Sequence, residues 1–208
     1  MPAQANLKTN TKINSKIKLI ETAIDLVRLS SYTDVGVNEI CRKAGVTKGA
    51  FYHHFKSKAA LYAEAAAYKK SNEALMLNSF LADKHEPLKK LNNMISYVYY
   101  KGFQNTETQN KRVSGCPFFT AGAINSGTDD LICEASKDYV EGEVGYWIRV
   151  ITDLAHNDFI EKPTDIPQLA RMVYQYVNGV LTYSRIFNDE QMMKADLEAG
   201  IYRFLRVV

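Results

Sequence analysis

The chain has 208 residues, 46% of them hydrophobic and 24% charged, with a formal net charge of +3. That is enough chain for a real core in one or two domains. No run approaches the ~20 apolar residues that a membrane span needs, and the amino-terminus has no apolar stretch of the secretory kind. Cys41, Cys116 and Cys133 do not make a disulfide framework and fit a reducing compartment. A cytoplasmic location is therefore expected.

The charge is unevenly placed. Residues 1–58 hold ten Lys or Arg against four Asp or Glu, net +6, and residues 59–208 hold sixteen against nineteen, net −3. A basic head on a mildly acidic body is the distribution expected where one end meets a polyanion. Lys8, Lys12, Lys16 and Lys18 lead into that head. Residues 1–12 are polar and read as a flexible basic tail, either settling along DNA or simply solvated.

Residues 36–61 read as two short helices joined by a tight turn. Val37, Ile40, Cys41 and Ala44 recur at the spacing that gives a helix one buried face, leaving Asn38, Arg42 and Lys43 outside. Gly36 stands at the N-cap, and Gly45 ends the helix because glycine tolerates positive φ. Thr47 is placed to cap a second helix running from Lys48 to Phe55, in which Phe51 and Phe55, four apart, face inward. Its outer surface carries Thr47, Lys48, Gly49, Ala50, Tyr52 and His53. Phosphates take cations, hydroxyls and amides, whereas base edges take small donors and acceptors at close range. Gly49 and Ala50 let the backbone approach the bases, Lys48, Lys58 and the Tyr52 hydroxyl are candidates for phosphates, and His53 for a base edge or sugar. Arg42 and Thr47 complete this double-stranded DNA site.

The segment AGVTKGAFYHHFKSKAAL, residues 44–61, resembles the signature of the TetR family of bacterial transcriptional regulators, with the likeness running from about Leu19 to Leu61. Gly36 departs from it, since the family commonly places a capping Thr there. The resemblance implies an all-α fold: a three-helix helix-turn-helix head over residues 13–57, then a helical ligand-binding and dimerisation domain over 58–208. It also implies a homodimer, in which the last two helices of each subunit form a four-helix bundle, on a palindromic operator. A small effector would release such a repressor from DNA.

Helical periodicity continues beyond Phe55. Ser57 is expected to cap a long helix from Lys58, which ends before Asp83 and Pro87. A helix from Pro87 to about Gln104 follows, then a polar loop from Asn105 to Ser114, a short helix from Pro117 through Ile124, and a long one from about Asp129 to Asn157. EKPTDIP reads as a linker. From Gln168 to Phe187 an apolar stripe carries Leu169, Met172, Val173, Tyr176, Val177, Val180 and Leu181, and the last helix carries Leu197, Ile201, Phe204 and Leu205. These two stripes are the expected dimer interface, the alternative being closure of the monomer core.

Aromatic side chains in the body are candidates to line an effector cavity: Tyr97, Tyr100, Phe103, Phe118, Phe119, Trp147, Tyr174 and Tyr183. Cys116, in VSGCPFFTAGAIN, resembles a Gly-Cys-Pro or Gly-Cys-Leu element of some TetR relatives that respond to electrophiles. Standing at a helix N-terminus, its thiol would be favoured as thiolate, or it is a small buried hydrophobe. No nucleophile elbow, phosphate-cradling glycine loop or metal-spaced His, Cys and carboxylate cluster is present in the sequence, so neither an enzyme nor a cofactor is expected. A competing reading keeps the DNA head but gives the body a protein to dock instead of a small molecule.

Overall fold

The computed structural model describes the backbone of residues 3–103 and 112–207 and the side chains of 14–103 and 112–207. Among these there are nine helices and no strand: α1 (Ala3–Leu29), α2 (Val37–Ala44), α3 (Lys48–His54), α4 (Lys58–Phe80), α5 (Pro87–Gly102), α6 (Pro117–Ile124), α7 (Asp130–His156), α8 (Ile166–Phe187) and α9 (Glu190–Leu205). Most of the expected loop Asn105–Ser114 lies outside the described residues. The first helix reaches back to Ala3, into the stretch expected as a flexible tail; from Ala3 to Leu29 the sequence has neither Gly nor Pro to stop it.

Helix ends follow local chemistry. The Ser57 hydroxyl accepts the Ala60 N–H at 3.0 Å and opens α4, while the Asp165 carboxylate accepts the Gln168 N–H at 2.8 Å and opens α8 inside the expected linker. Asn188, left-handed at φ 52°, ends α8, and the Asp189 carboxylate caps α9 through the Met192 N–H, so the chain reverses within two residues.

The chain packs as two compact units, residues 1–70 with 117–139 and residues 71–116 with 140–208. The first therefore takes in more than the segment 13–57 expected for the head. Its core is built from Leu19, Ile20, Ala23, Ile40, Phe51, Phe55 and Leu61, all buried. In the second unit α9 packs on α8 and α5. Val173, Val177, Val180 and Leu181 of α8, with Leu197, Ile201 and Leu205 of α9, are already buried within the single chain. Much of the expected interface stripe is thus intrachain core, because α8 and α9 turn their most apolar faces to each other, while Leu169, Tyr176 and Phe204 of it are half-buried and Met172 is exposed. What α8 leaves outside is the adjacent row Met172, Gly179, Tyr183, Ile186 and Phe187, exposed among polar neighbours.

Candidate DNA-binding surface and a buried polar cluster

The helix-turn-helix forms as its sequence dictates. Gly45 at φ 66° closes α2, its N–H meeting the Arg42 carbonyl at 3.4 Å while the Val46 N–H meets the Cys41 carbonyl at 3.0 Å. The Thr47 hydroxyl then accepts the Ala50 N–H at 3.1 Å and starts α3. Beneath α3, Phe51 and Phe55 are buried with ring centroids 5.8 Å apart, and α3 is held against α1 and α2. Cys41 packs with them, and burial pushes its thiol above the ordinary range. With the inner face so occupied, Arg42, Thr47, Lys48, Gly49, Tyr52 and His53 are left exposed together, and Ala50 is half-buried. Tyr52 is 54% exposed, with its ring edge-on to Phe51 at 5.1 Å.

Lys58 departs from the expected set. Its ammonium turns inward, donating to the Tyr32 carbonyl at 2.9 Å and the Val35 carbonyl at 3.1 Å and lying 4.1 Å from the centre of the Tyr32 ring. Burial pushes its pKa down. Lys58 therefore fastens the loop between α1 and α2 and is withdrawn from the phosphate-facing group. His54 is also drawn in, its Nε2 lying 2.8 Å from the Ser15 hydroxyl.

A second constellation lies in the other unit. Lys101 Nζ sits 2.9 Å from Glu143 and 3.5 Å from Glu73, and it donates to the Tyr97 hydroxyl at 3.1 Å. The Tyr97 hydroxyl in turn donates to Glu143 at 3.1 Å. Glu73 and Glu143 are both buried, so two carboxylates share one ammonium away from water. Desolvation is the main reason the Glu143 carboxyl is held above its usual range; Lys101 opposes this and Glu73 adds to it. Burial likewise raises Tyr97 and Tyr174, and Tyr174 lies in the field of Cys116, Lys101 and Glu143. Buried ion pairs contribute little net stability, while perturbed titratable groups cluster at functional sites.

Comparison with known proteins bears on the head first. Residues 19–65 match the family model described as bacterial regulatory proteins, tetR family. The HTH-type transcriptional regulator YxaF of Bacillus subtilis (strain 168) is 26% identical over 179 residues, covering 85% of this chain and 88% of that protein. Over residues 19–65 the chain is similar to the TetR family.

Solved TetR-family folds agree over nearly the whole length. A regulator from Agrobacterium tumefaciens superposes with a TM-score of 0.81 at 14% identity, covering 92% of this chain and 98% of its own. Bacillus subtilis FadR, solved in complex with stearoyl-CoA, gives 0.72 at 14% identity, covering 92% and 98%. At such identities the likeness is one of fold. The TetR-like chain is thus a helix-turn-helix head followed by a carboxy-terminal helical domain.

The nine residues expected to line an effector cavity are scattered. Tyr97, Cys116 and Tyr174 are buried beside the Lys101 cluster. Trp147 is buried in the same unit, and Phe103 stacks on Tyr99 with centroids 6.1 Å apart. Tyr100 and Tyr183 instead face solvent at 59% and 54% exposure, because α5 and α8 bury their other sides. Phe118 belongs to the first unit, 4.4 Å from Tyr139 and 5.5 Å from Tyr62 by ring centroid, and Phe119 next to it is half-buried. Aromatic content did not point to Glu73, Lys101 or Glu143. The available signal was charge on an apolar stripe: Glu143 falls in register with buried Tyr139, Trp147 and Val150 on α7, and Glu73 with Leu77 and Leu81 on the course of α4.

Proposed function

We propose that this chain is a TetR-family regulator, a homodimeric repressor whose head reads a palindromic operator and whose body answers a small, partly apolar effector. The observation that carries the reading is the joint exposure of Arg42, Thr47, Lys48, Gly49, Tyr52 and His53 around the N-terminal end of α3, where such helices meet base edges and phosphates in the major groove. A two-fold operator presents half-sites about 34 Å apart, which one head cannot span and two symmetric heads can.

The exposed row Met172, Gly179, Tyr183, Ile186 and Phe187 on α8 supports the dimer, since a contiguous apolar patch is unusual on a monomer's surface. The effector reading draws on the buried Glu73, Lys101, Glu143 and Tyr97 group with Tyr174 and Cys116 beside it. FadR of the same fold holds an acyl-bearing molecule, in keeping with a partly apolar ligand; a thiol-reactive one would engage Cys116. An effector that prefers a conformation with misplaced heads weakens DNA binding by the same factor by which DNA weakens effector binding. Fluorescence anisotropy with a labelled duplex from the gene's own upstream region tests the reading. Binding at low salt without effector, lost in Tyr52→Ala, is expected; a native chain that ignores the duplex overturns it.

A further inference from the structure

Ser136 stands on the inward stripe of α7, in register with Ile132 and Tyr139, and like them it is buried. A hydroxyl at that depth needs a partner. Ser136 Oγ lies 2.8 Å from the hydroxyl of Tyr62 on α4, 74 residues away in sequence, and the Tyr62 hydroxyl also reaches the Phe118 carbonyl at the start of α6, at 3.4 Å. Gly122 makes room for this arrangement. A Cβ there would come within 2.6 Å of Ser136 Cβ, so the missing side chain is what lets α6 lie this close to α7. All of these residues belong to the compact unit that contains the helix-turn-helix.

The contacts continue to the loop that delivers α2. The Tyr62 ring meets Tyr32 edge-on at 5.2 Å, and both rings are buried. Tyr32 holds Lys58 by its ring and its carbonyl, and the same ammonium binds the Val35 carbonyl, one residue before the N-cap of α2. We infer that Ser136 is a positioning residue for DNA reading: through the Tyr62 hydroxyl it seats Tyr62 against Tyr32 and so fixes the loop from which α2 and the reading helix start. Two observations favour it over a merely structural bond. The Ser136 to Tyr62 bond is buried, whereas another tie between α4 and α7, from Lys70 to Asp138 at 2.7 Å, is exposed and contributes little. Tyr62 is also packed between the rings of Tyr32 and Phe118, the latter 5.5 Å away by centroid, so where its hydroxyl is anchored decides how its ring meets Tyr32.

The inference rests on the DNA-reading function proposed above, but its first test involves no DNA. Ser136→Ala, Tyr62→Phe and the double variant keep the apolar packing and remove the bond; thermal melts confirm that each folds. Hydrogen exchange of the full chain should quicken across residues 31–40 in both single variants, and operator affinity should fall, each by roughly three- to tenfold. The salt slope of operator binding should stay as in the native chain, since no phosphate contact is lost. The double variant should be no worse than the more damaging single one, as expected of two groups that act through one bond. Unchanged exchange over 31–40 in both folded single variants overturns the inference, as do native operator affinity in both or effects that add in the double variant. A native chain that ignores the duplex instead overturns the DNA-reading function, while the exchange measurement still reports on the Ser136 to Tyr62 link.

Discussion

The Tyr97 hydroxyl donates to a Glu143 oxygen at 3.1 Å, and Lys101 binds both residues. In the fold, burial holds the Glu143 carboxyl above the ordinary carboxylate range. Between the ordinary glutamate pKa, about 4.3, and that raised value, the native state keeps a proton that the unfolded chain has released. Stability therefore falls as pH rises through this window. Glu143→Gln keeps a hydrogen-bonding group there and removes the dependence, so its melting temperature should exceed the native one by a margin that widens as pH climbs above about 4.3 and closes below it. A margin independent of pH, measured by thermal melts across that range, would contradict the assignment.

Lys48 and Tyr52 stand exposed at the DNA-facing end of α3. Lys48→Ala should lower operator affinity about equally for all sequences and reduce the log–log salt slope by about 1, as the loss of one phosphate contact requires. Tyr52→Ala should abolish operator binding without altering the oligomeric state. Anisotropy titrations over a salt series, beside sedimentation velocity, read both, and an unchanged slope in Lys48→Ala removes it from the interface.

Thr47 caps a helix of seven residues through the Ala50 N–H. Thr47→Ala should cost about 1 kcal/mol of stability, and Thr47→Ser should restore most of it. Urea unfolding compares the three proteins; coincident midpoints for the Ala and Ser variants would mean that the hydroxyl contributes nothing.

Tyr183 and Ile186 are 54% and 73% exposed on α8, so polar substitutions there leave the single-chain core intact. Tyr183→Glu combined with Ile186→Asp should produce a folded monomer by sedimentation and, with it, a large loss of operator affinity. A dimer that survives the double substitution places the interface elsewhere.

The head was legible because its signals are local. A glycine at the left-handed position, a hydroxyl three residues before the amide it caps, and two phenylalanines one turn apart act within a few residues of one another. Three features were not legible. Lys58 lies 26 and 23 residues from the carbonyls that capture it, and nothing in its neighbourhood of sequence announces them. The Glu73, Lys101 and Glu143 group is assembled from α4, α5 and α7, so only tertiary packing shows that three ordinary charges share one buried space. On α8 nearly every face carries some apolar residue, and periodicity alone could not decide which face α9 would take.

The reading helix has fewer than two full turns, and isolated helices shorter than about 12 residues are marginal in water. A peptide copied from Lys48 to His54 should therefore be unstructured and indifferent to operator sequence. The reading surface belongs to the packed head as a whole: a void opened beneath Phe51 or Phe55 would silence recognition as thoroughly as removing a contact to the bases.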